Sequence, residues 1–101
     1  MKIVVVGDIV VPCDLLVEAA KTLDESAEVV AVEWVCETRQ EFQHRAQNLE
    51  KNGPDAEEVP AEVYDQVADA DILLTHFCPV PAALVDAGTN LKLIGTCRGG
   101  M

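Results

Sequence analysis

The last residues of the chain include an arginine and two glycines, residue types that together could bind an anion. Arg98, Gly99 and Gly100 follow the apolar run 91–94 and a short polar turn. Glycine lets backbone N–H groups approach a ligand closely, and successive amides in a turn can form an anion-binding concavity. An arginine beside them can pair through two hydrogen bonds with a carboxylate or a phosphate. The pattern alone is equally compatible with a tight exit turn whose arginine is solvated.

A second candidate is His76, which follows the apolar run 71–75 and has Phe77 beside it. An imidazole next to a ligand can act as a general base. Spacing alone supplies no carboxylate, serine or cysteine partner, so the sequence predicts no catalytic triad. The alternative is a loop histidine near a pocket, without a catalytic role. The other histidine, His44, lies in a polar helical stretch and is expected on the surface.

The four cysteines are Cys13, Cys36, Cys78 and Cys97. No two of them have Cys-x-x-Cys spacing, and no cysteine and histidine have the separation of a zinc finger. The pattern therefore favours reduced, partly buried thiols over a metal site or disulfide bonds.

The elements that must position these residues alternate along the chain. Apolar runs predict strands at 2–7, 29–32, 71–75 and 91–96. Helical spacing predicts helices over 14–24, 39–51, 60–68 and 82–88. This alternation predicts an α/β fold with a flavodoxin-like parallel sheet and helices on both faces. Ligands of such sheets bind beyond the carboxyl ends of the strands, where the loops 7–13, 33–37, 76–80 and 96–101 are expected.

Two helices carry more specific signals. Thr38 with Glu41 three residues later forms the sequence pattern of a capping box, and residues 52–54 are expected to end that helix. The first helix has apolar residues at helical spacing, the pattern of a core-facing side. They are Leu15, Leu16, Ala19, Ala20 and Leu23.

The first loop follows a strand and precedes a helix, where a dinucleotide fingerprint would need Gly-x-Gly-x-x-Gly. Ile9 and Pro12 stand where the later glycines would be, and the loop has no Walker-type pattern either. We therefore expect no nucleotide site in this loop.

The formal net charge of −11, with 7 basic residues, disfavours nucleic acid and anionic membranes as partners. The acidic stretch 50–58 is typical of a solvated surface. No apolar run approaches the roughly 18 residues of a membrane span, and the N-terminus lacks the features of a signal peptide. We therefore expect the 101 residues to form at most one domain and to be cytoplasmic.

The segment 84–100, LVDAGTNLKLIGTCRGG, resembles the end of the N-terminal domain of D-isomer-specific 2-hydroxyacid dehydrogenases. This family includes phosphoglycerate, glycerate/glyoxylate and formate dehydrogenases. Its pattern is an apolar helix, then Asn-Leu-Lys, a short strand, a glycine and a loop of small residues. Residues 70–75, ADILLT, are similar to the family's preceding strand. The resemblance covers the whole chain in layout and residues 69–101 in motif.

The resemblance implies that residues 1–101 are the N-terminal part of a substrate-binding domain, an incomplete lobe of a two-domain, phosphoglycerate dehydrogenase-like enzyme. In that family, backbone amides at the positions of Gly99 and Gly100 hold the substrate carboxylate. Arg98 adds a charge that the commonest form of this loop lacks, which would suit a phosphorylated or sugar acid. The family's preceding loop borders the substrate, which makes His76 and Phe77, with Cys78, candidate pocket residues.

The resemblance further implies an NAD(P)-dependent oxidoreductase acting on the CH–OH group of a D-2-hydroxy acid. NAD or NADP would be bound by a Rossmann domain outside these 101 residues, and the full-length protein is expected to be a homodimer. The family's substrate-orienting arginine and His–Glu pair match no residue here, so these residues alone are expected to be inactive.

Two other functions are considered. A free-standing flavodoxin-like module could bind an acid metabolite through Arg98, Gly99 and Gly100 without catalysis. A phosphoryl-accepting receiver would use Asp8 and a second aspartate after the third strand, but His76 and its neighbours occupy that place, so this function is rejected.

Overall fold

The structure is a computed structural model that describes residues 1–96. The strands are β1 (Lys2–Gly7), β2 (Glu28–Glu33), β3 (Ile72–Thr75) and β4 (Leu93–Thr96). The helices are α1 (Cys13–Leu23), α2 (Arg39–Asn52), α3 (Ala61–Val67) and α4 (Ala82–Ala87). The strands form one all-parallel sheet in the order β2-β1-β3-β4, so the predicted α/β class is confirmed and the order is consistent with a flavodoxin-like fold.

The central strand β1 is buried on both faces of the sheet. Its four residues from Ile3 to Val6 are fully inaccessible to solvent, as the uninterrupted β-branched run predicts. Val4 pairs with Val30 of β2 on one side and with Leu73 of β3 on the other. Because side chains alternate across a strand, Ile3 and Val5 enter one core layer while Val4 and Val6 enter the other.

Helix α1 covers the first of these layers, where Leu16 and Ala20 pack with Ile3 and Val5. The other three residues of the expected apolar side, Leu15, Ala19 and Leu23, are exposed. The apolar stripe is thus narrower than the sequence pattern and is rotated toward Cys13 and Val17, which are half-buried.

The second layer is larger and contains the aromatic residues that reach the carboxyl ends of the strands. Helix α2 contributes the three apolar residues expected for its thin inner side, Phe42, Ala46 and Leu49. Trp34, directly after β2, is 1% exposed and packs edge-on against Phe42, with ring centroids 6.1 Å apart. This packing fixes α2 beneath the loop that follows β3.

The ends of α2 match the sequence signals. The Thr38 hydroxyl oxygen accepts a hydrogen bond from the Glu41 N–H at 3.0 Å, and the Glu41 carboxylate accepts one from the Glu37 N–H at 3.1 Å. Gly53, with φ of 89°, follows the helix, and its N–H donates to the Leu49 carbonyl at 2.9 Å. Glycine adopts this left-handed backbone at no steric cost, which explains why the helix ends there.

The amino ends of the strands are tied together by ion pairs. The Asp71 carboxylate accepts from the backbone N–H of Lys2 at 2.8 Å and lies 3.6 Å from the Lys92 ammonium. Asp69 pairs with the Lys2 ammonium. These charges occupy the sheet edge opposite to the one where ligands of such folds bind, so they are assigned to stability. Among residues 1–96, no helix is both long enough and apolar enough to cross a membrane.

Candidate functional site

The turn after β1 brings a carboxylate into the protein interior. Gly7 ends the strand directly against the start of α1: a Cβ at this position would lie 2.5 Å from the backbone nitrogen of Cys13. Asp8 follows, and the exposed fraction of its surface is 2%. Its N–H donates to the Val11 carbonyl at 2.9 Å, which closes a tight turn with the Asp8 side chain directed inward.

Both carboxylate oxygens of Asp8 are occupied by donors. Oδ1 accepts from the N–H groups of Val10 at 2.9 Å and Val11 at 2.8 Å. Oδ2 accepts from the Phe77 N–H at 3.3 Å and lies 2.8 Å from Nδ1 of His76. A buried charge is tolerated when hydrogen-bond donors replace the water that it loses. Three of these donors are backbone groups, so the carboxylate is held in a fixed orientation.

The His76 imidazole is fixed by this carboxylate and by two aromatic rings. It stacks on Phe42, with the ring planes 5° apart, and meets Phe77 edge-on at a centroid distance of 5.0 Å. Because an ionised carboxylate only accepts, Nδ1 carries the proton. Nε2 makes no hydrogen bond to any of residues 1–96, and 11% of the side chain is exposed. One imidazole nitrogen is therefore committed to Asp8 and the other is available.

A cavity of about 310 Å³ opens at the carboxyl ends of β3 and β4. Most of its wall is apolar, and Phe77 contributes both to this wall and to the contact with His76. The lining residues are Leu49, Pro54, Phe77, Cys78, Pro79, Val80, Ile94 and Thr96. Its volume is at the lower end of small-molecule sites, which suits a ligand of a few heavy atoms.

A buried hydroxyl lies next to this cavity in the sheet. Thr75 is fully buried, and its Oγ1 has no hydrogen-bond partner among residues 1–96. It pairs in register with Thr96, which lines the cavity, and the alternation of side chains places both on the face of Leu73 and Ile94. An unpaired buried hydroxyl costs roughly 1–3 kcal/mol, so a polar group that reached it would be bound favourably.

The basic residue Arg45 of α2, which packs on Trp34, is already paired. Its guanidinium lies over the Trp34 ring at 4.1 Å, donates to Glu57 at 2.7 Å and donates to the Val35 carbonyl at 2.8 Å. Burial would raise the pKa of Glu57, but hydrogen bonds from Asn48 and Arg45 outweigh it and hold this pKa below its ordinary value. Glu57 is therefore a structural partner, and the expectation of a solvated acidic stretch is wrong at this position.

The cysteines in the described part are free thiols, as expected. Cys13 and Cys36 are half-buried and Cys78 is buried. Burial raises the pKa of Cys78 to about 12 and, against the nearby Arg45 charge, raises the pKa of Cys36. Neither thiol is an activated nucleophile, because the thiolate is the reactive form. Within residues 1–96, no group of three or more acidic, histidine or cysteine side chains is placed to hold a metal ion.

The first loop directs two of its backbone amides to its own carboxylate. The amides of Val10 and Val11, which could have faced a phosphate, are taken by the Asp8 carboxylate. The negative charge of Asp8 would also repel a phosphate at this position.

The structure describes only some of the site residues that the sequence predicts. Arg98, Gly99 and Gly100, like Cys97, lie outside the described residues. Phe77 lines the cavity, and His76 lies beside Phe77 but not in the cavity wall. His44 is exposed, as expected. The residue that the sequence analysis missed is Asp8 as the partner of His76, 68 positions away. A polar residue directly after a strand with the apolar run 3–6 was the available signal.

Comparison with known proteins found no match for this chain. No protein-family model, no curated protein and no solved structure matches this chain.

Proposed function

We propose that this chain is the substrate-binding lobe of an NAD(P)-dependent oxidoreductase that acts on the CH–OH group of a D-2-hydroxy acid. The acid binds at the carboxyl edge of the sheet, against the loop after β3 and the end of β4. The resemblance of residues 69–101 to the 2-hydroxyacid dehydrogenases supports the reaction class, and the geometry of the edge supports the place.

The observation that carries the proposal is the position of Thr96. It is the last residue of β4, it lines the 310 Å³ cavity, and in sequence it directly precedes the stretch that contains Arg98, Gly99 and Gly100. Parallel pairing of β4 with β3 brings that point of the chain beside the loop of His76 and Phe77. The last described residue of the chain thus lies beside the β3 loop, which the sequence analysis selected as a candidate pocket segment.

The proposed separation of substrate binding and cofactor binding between two domains follows from what the described residues can do. They offer an apolar wall and polar atoms for a small acid, and the amides of the first loop that could face a phosphate are bonded to Asp8. Hydride transfer then depends on a cofactor held by another domain, and closure of the two domains excludes water from the substrate. The exposed apolar residues Val85 and Leu93, beside and on the edge strand β4, are in keeping with a lobe that packs against further polypeptide.

The test is a titration of the isotopically labelled chain with D-glycerate, D-lactate and glycolate, followed by amide chemical shifts. We expect weak, saturable binding, because domain closure contributes nothing here, with the largest shifts at Phe77, Cys78 and Thr96. Glycerol serves as the matched control, since it has the size of glycerate without the carboxylate. Equal shifts with glycerol, or shifts centred on Lys2 and Lys92 at the opposite edge, would contradict the proposal.

Turnover is tested separately, with the protein expressed from its complete gene, by following reduction of NAD⁺ or NADP⁺ by the same acids. Oxidation of the D-isomer supports the dehydrogenase. If the complete protein contains no cofactor domain and still binds the acids, the result would support the alternative role, an acid-binding module without catalysis.

A further inference from the structure

We propose that one amphipathic helix of the same polypeptide, outside residues 1–101, packs into an apolar corner between α1 and β4. The corner consists of exposed apolar residues of these two elements, which are Leu15, Ala19 and Leu23 of α1 and Leu93 of β4. This inference rests on the proposed function, which assigns the chain to a longer protein, and it specifies which surface of the lobe the further polypeptide covers.

One side of the corner is the margin of the sheet on the face that α1 covers. Leu93 and Gly95 of β4 pair in register with Ile72 and Leu74 of β3, so all four residues lie on one face. Ile72 and Leu74 belong to the core layer beneath α1, whereas Leu93 is 52% exposed. Helices α2, α3 and α4 contribute to the layer on the other face. Among residues 1–96, α1 is thus the only helix on this face, and Leu93 stays open to solvent.

The other side of the corner is the flank of α1 that faces away from β2. With 3.6 residues per turn, Cys13 and Lys21 lie on one flank of the buried stripe and the three apolar residues of the corner lie on the opposite flank. The first flank faces β2: the Cys13 thiol lies 3.4 Å from the Val32 carbonyl, and the Lys21 ammonium donates to the Ala27 carbonyl at 3.1 Å. Because α1 lies mainly over β1 and β2, its opposite flank borders the uncovered margin of the sheet.

The handedness of the connections restricts which helix can fill the corner. The chain crosses the sheet in one direction from β2 to β3 and on to β4, and the connecting helices lie on the face opposite α1, as right-handed crossovers require. A helix that led from β4 to a further strand beside it would lie on that face too. The corner is therefore filled by a helix that ends the series of strands or returns to it. A helix beside α1 needs a length similar to its 11 residues, more than residues 97–101 provide.

Charge and area disfavour a second copy of this chain as the occupant. The exposed Glu18 lies one turn from Leu15, and the chain has a net charge of −11, so packing two copies through this surface would bring like charges together. Three half-exposed leucines and an alanine also offer far less than the roughly 800 Å² that each partner of a stable complex buries. The corner instead suits a single helix with an apolar stripe toward Leu93 and a basic residue toward Glu18.

The test compares thiol labelling of the corner in the 101-residue chain and in the protein expressed from its complete gene. Leu23→Cys and Leu93→Cys place a thiol on each side of the corner, and both replace exposed residues. We expect N-ethylmaleimide to label both sites in the chain at the rate of a free thiol, and about tenfold or more slowly in the complete protein. Gln43→Cys, exposed on α2, is the matched control and should be labelled equally fast in both proteins, as read by peptide mass spectrometry.

A photo-cross-linker tests whether the occupant is a helix. Benzophenone maleimide attached to Leu93→Cys in the complete protein should reach a single segment, at residues with the i, i+3 and i+4 spacing of one helix face. Cross-links that spread over several segments, or that join two copies of the chain, would overturn the inference.

The outcomes separate this inference from the proposed function. Equal labelling of the corner in the two proteins would overturn the helix, whether or not the complete protein oxidises 2-hydroxy acids. Protection of the corner in a complete protein that neither binds nor oxidises these acids would support the helix and contradict the proposed function. Hydroxyl-radical footprinting of Leu15, Leu23 and Leu93 in the two unmodified proteins makes the same comparison if the variants do not fold.

Discussion

Replacing Asp8 by asparagine tests whether the buried carboxylate organises the carboxyl edge of the sheet. The substitution keeps the shape of the side chain and removes its charge. One oxygen can still accept from the Val10 and Val11 amides. The new NH₂ group, however, takes the place of Oδ2, where two donors point: Nδ1 of His76 and the N–H of Phe77.

The magnitude follows from what each donor can do. The imidazole can exchange tautomers and accept a bond, but the Phe77 N–H can only donate, so its hydrogen bond to residue 8 is lost at a cost of roughly 1–3 kcal/mol. The bonds that remain lose their charge assistance, which adds about 1 kcal/mol. Removal of a buried charge works in the opposite direction, but four donors already replace the lost water. We expect a net destabilisation of about 2–4 kcal/mol.

Urea unfolding of the chain and of Asp8→Asn measures this difference. With a slope of about 1–1.5 kcal/mol per molar urea for a domain of this size, the midpoint should fall by roughly 2 M. Asp86→Asn, an exposed position on α4, is the matched control and should change the midpoint little. A variant at Asp8 as stable as this control, or more stable than the original chain, would refute the account of the turn.

Three further predictions concern other parts of the same edge. Gly7→Ala should lower the free energy of unfolding by about 1–3 kcal/mol in urea titrations, because its Cβ would overlap the backbone of Cys13; a change below about 0.5 kcal/mol would show that α1 moves freely. Glu57→Gln should cost on the order of 1 kcal/mol at neutral pH, since its carboxylate accepts charge-assisted bonds. The pKa of Glu57 is depressed in the folded chain, so the stability it contributes is present above its ordinary pKa of 4.5 and is lost as pH falls through the folded value; acid titrations of the variant should lack this component, and identical curves would contradict it. Cys78, buried and with its pKa raised to about 12, should resist iodoacetamide at pH values near 8 until the chain is unfolded, and rapid labelling of the native chain, read by peptide mass spectrometry, would contradict its burial.

Local patterns predicted the elements well because their causes are local. The run Ile3 to Val6 predicts a strand buried on both faces, and all four residues are inaccessible. The Thr38 cap depends on a residue three positions later, so its hydrogen bond could be read from the sequence. The parallel sheet then followed from the alternation of strands and helices.

Which side of α1 faces the core could not be predicted in the same way. Leu15 and Leu23 are apolar at helical spacing, yet they are more than half exposed. Which side of a helix is buried depends on how it lies across the sheet, and here the inner stripe runs through Leu16 and Ala20. Because apolar residues of different sizes lie on neighbouring stripes of the helix, tertiary packing determines which stripe is buried.

The centre of the candidate site was hidden for a related reason. Asp8 and His76 are 68 positions apart, and the pairing of β1 with β3 brings them together. The sequence indicated that both lie at the carboxyl edge but did not supply the register that makes them neighbours. Arg45 and Glu57 illustrate the same limit, since an acidic stretch gives no sign of which carboxylate a distant cation selects.

The most direct measurement of the central claim is a crystal structure of this chain with bound D-glycerate. The account predicts the acid at the carboxyl edge of the sheet, in the cavity lined by Phe77 and Thr96, with its carbon chain against Phe77. An acid bound at the amino edge near Lys2 and Lys92, or at the carboxyl edge with no contact to Phe77 or Thr96, would contradict it.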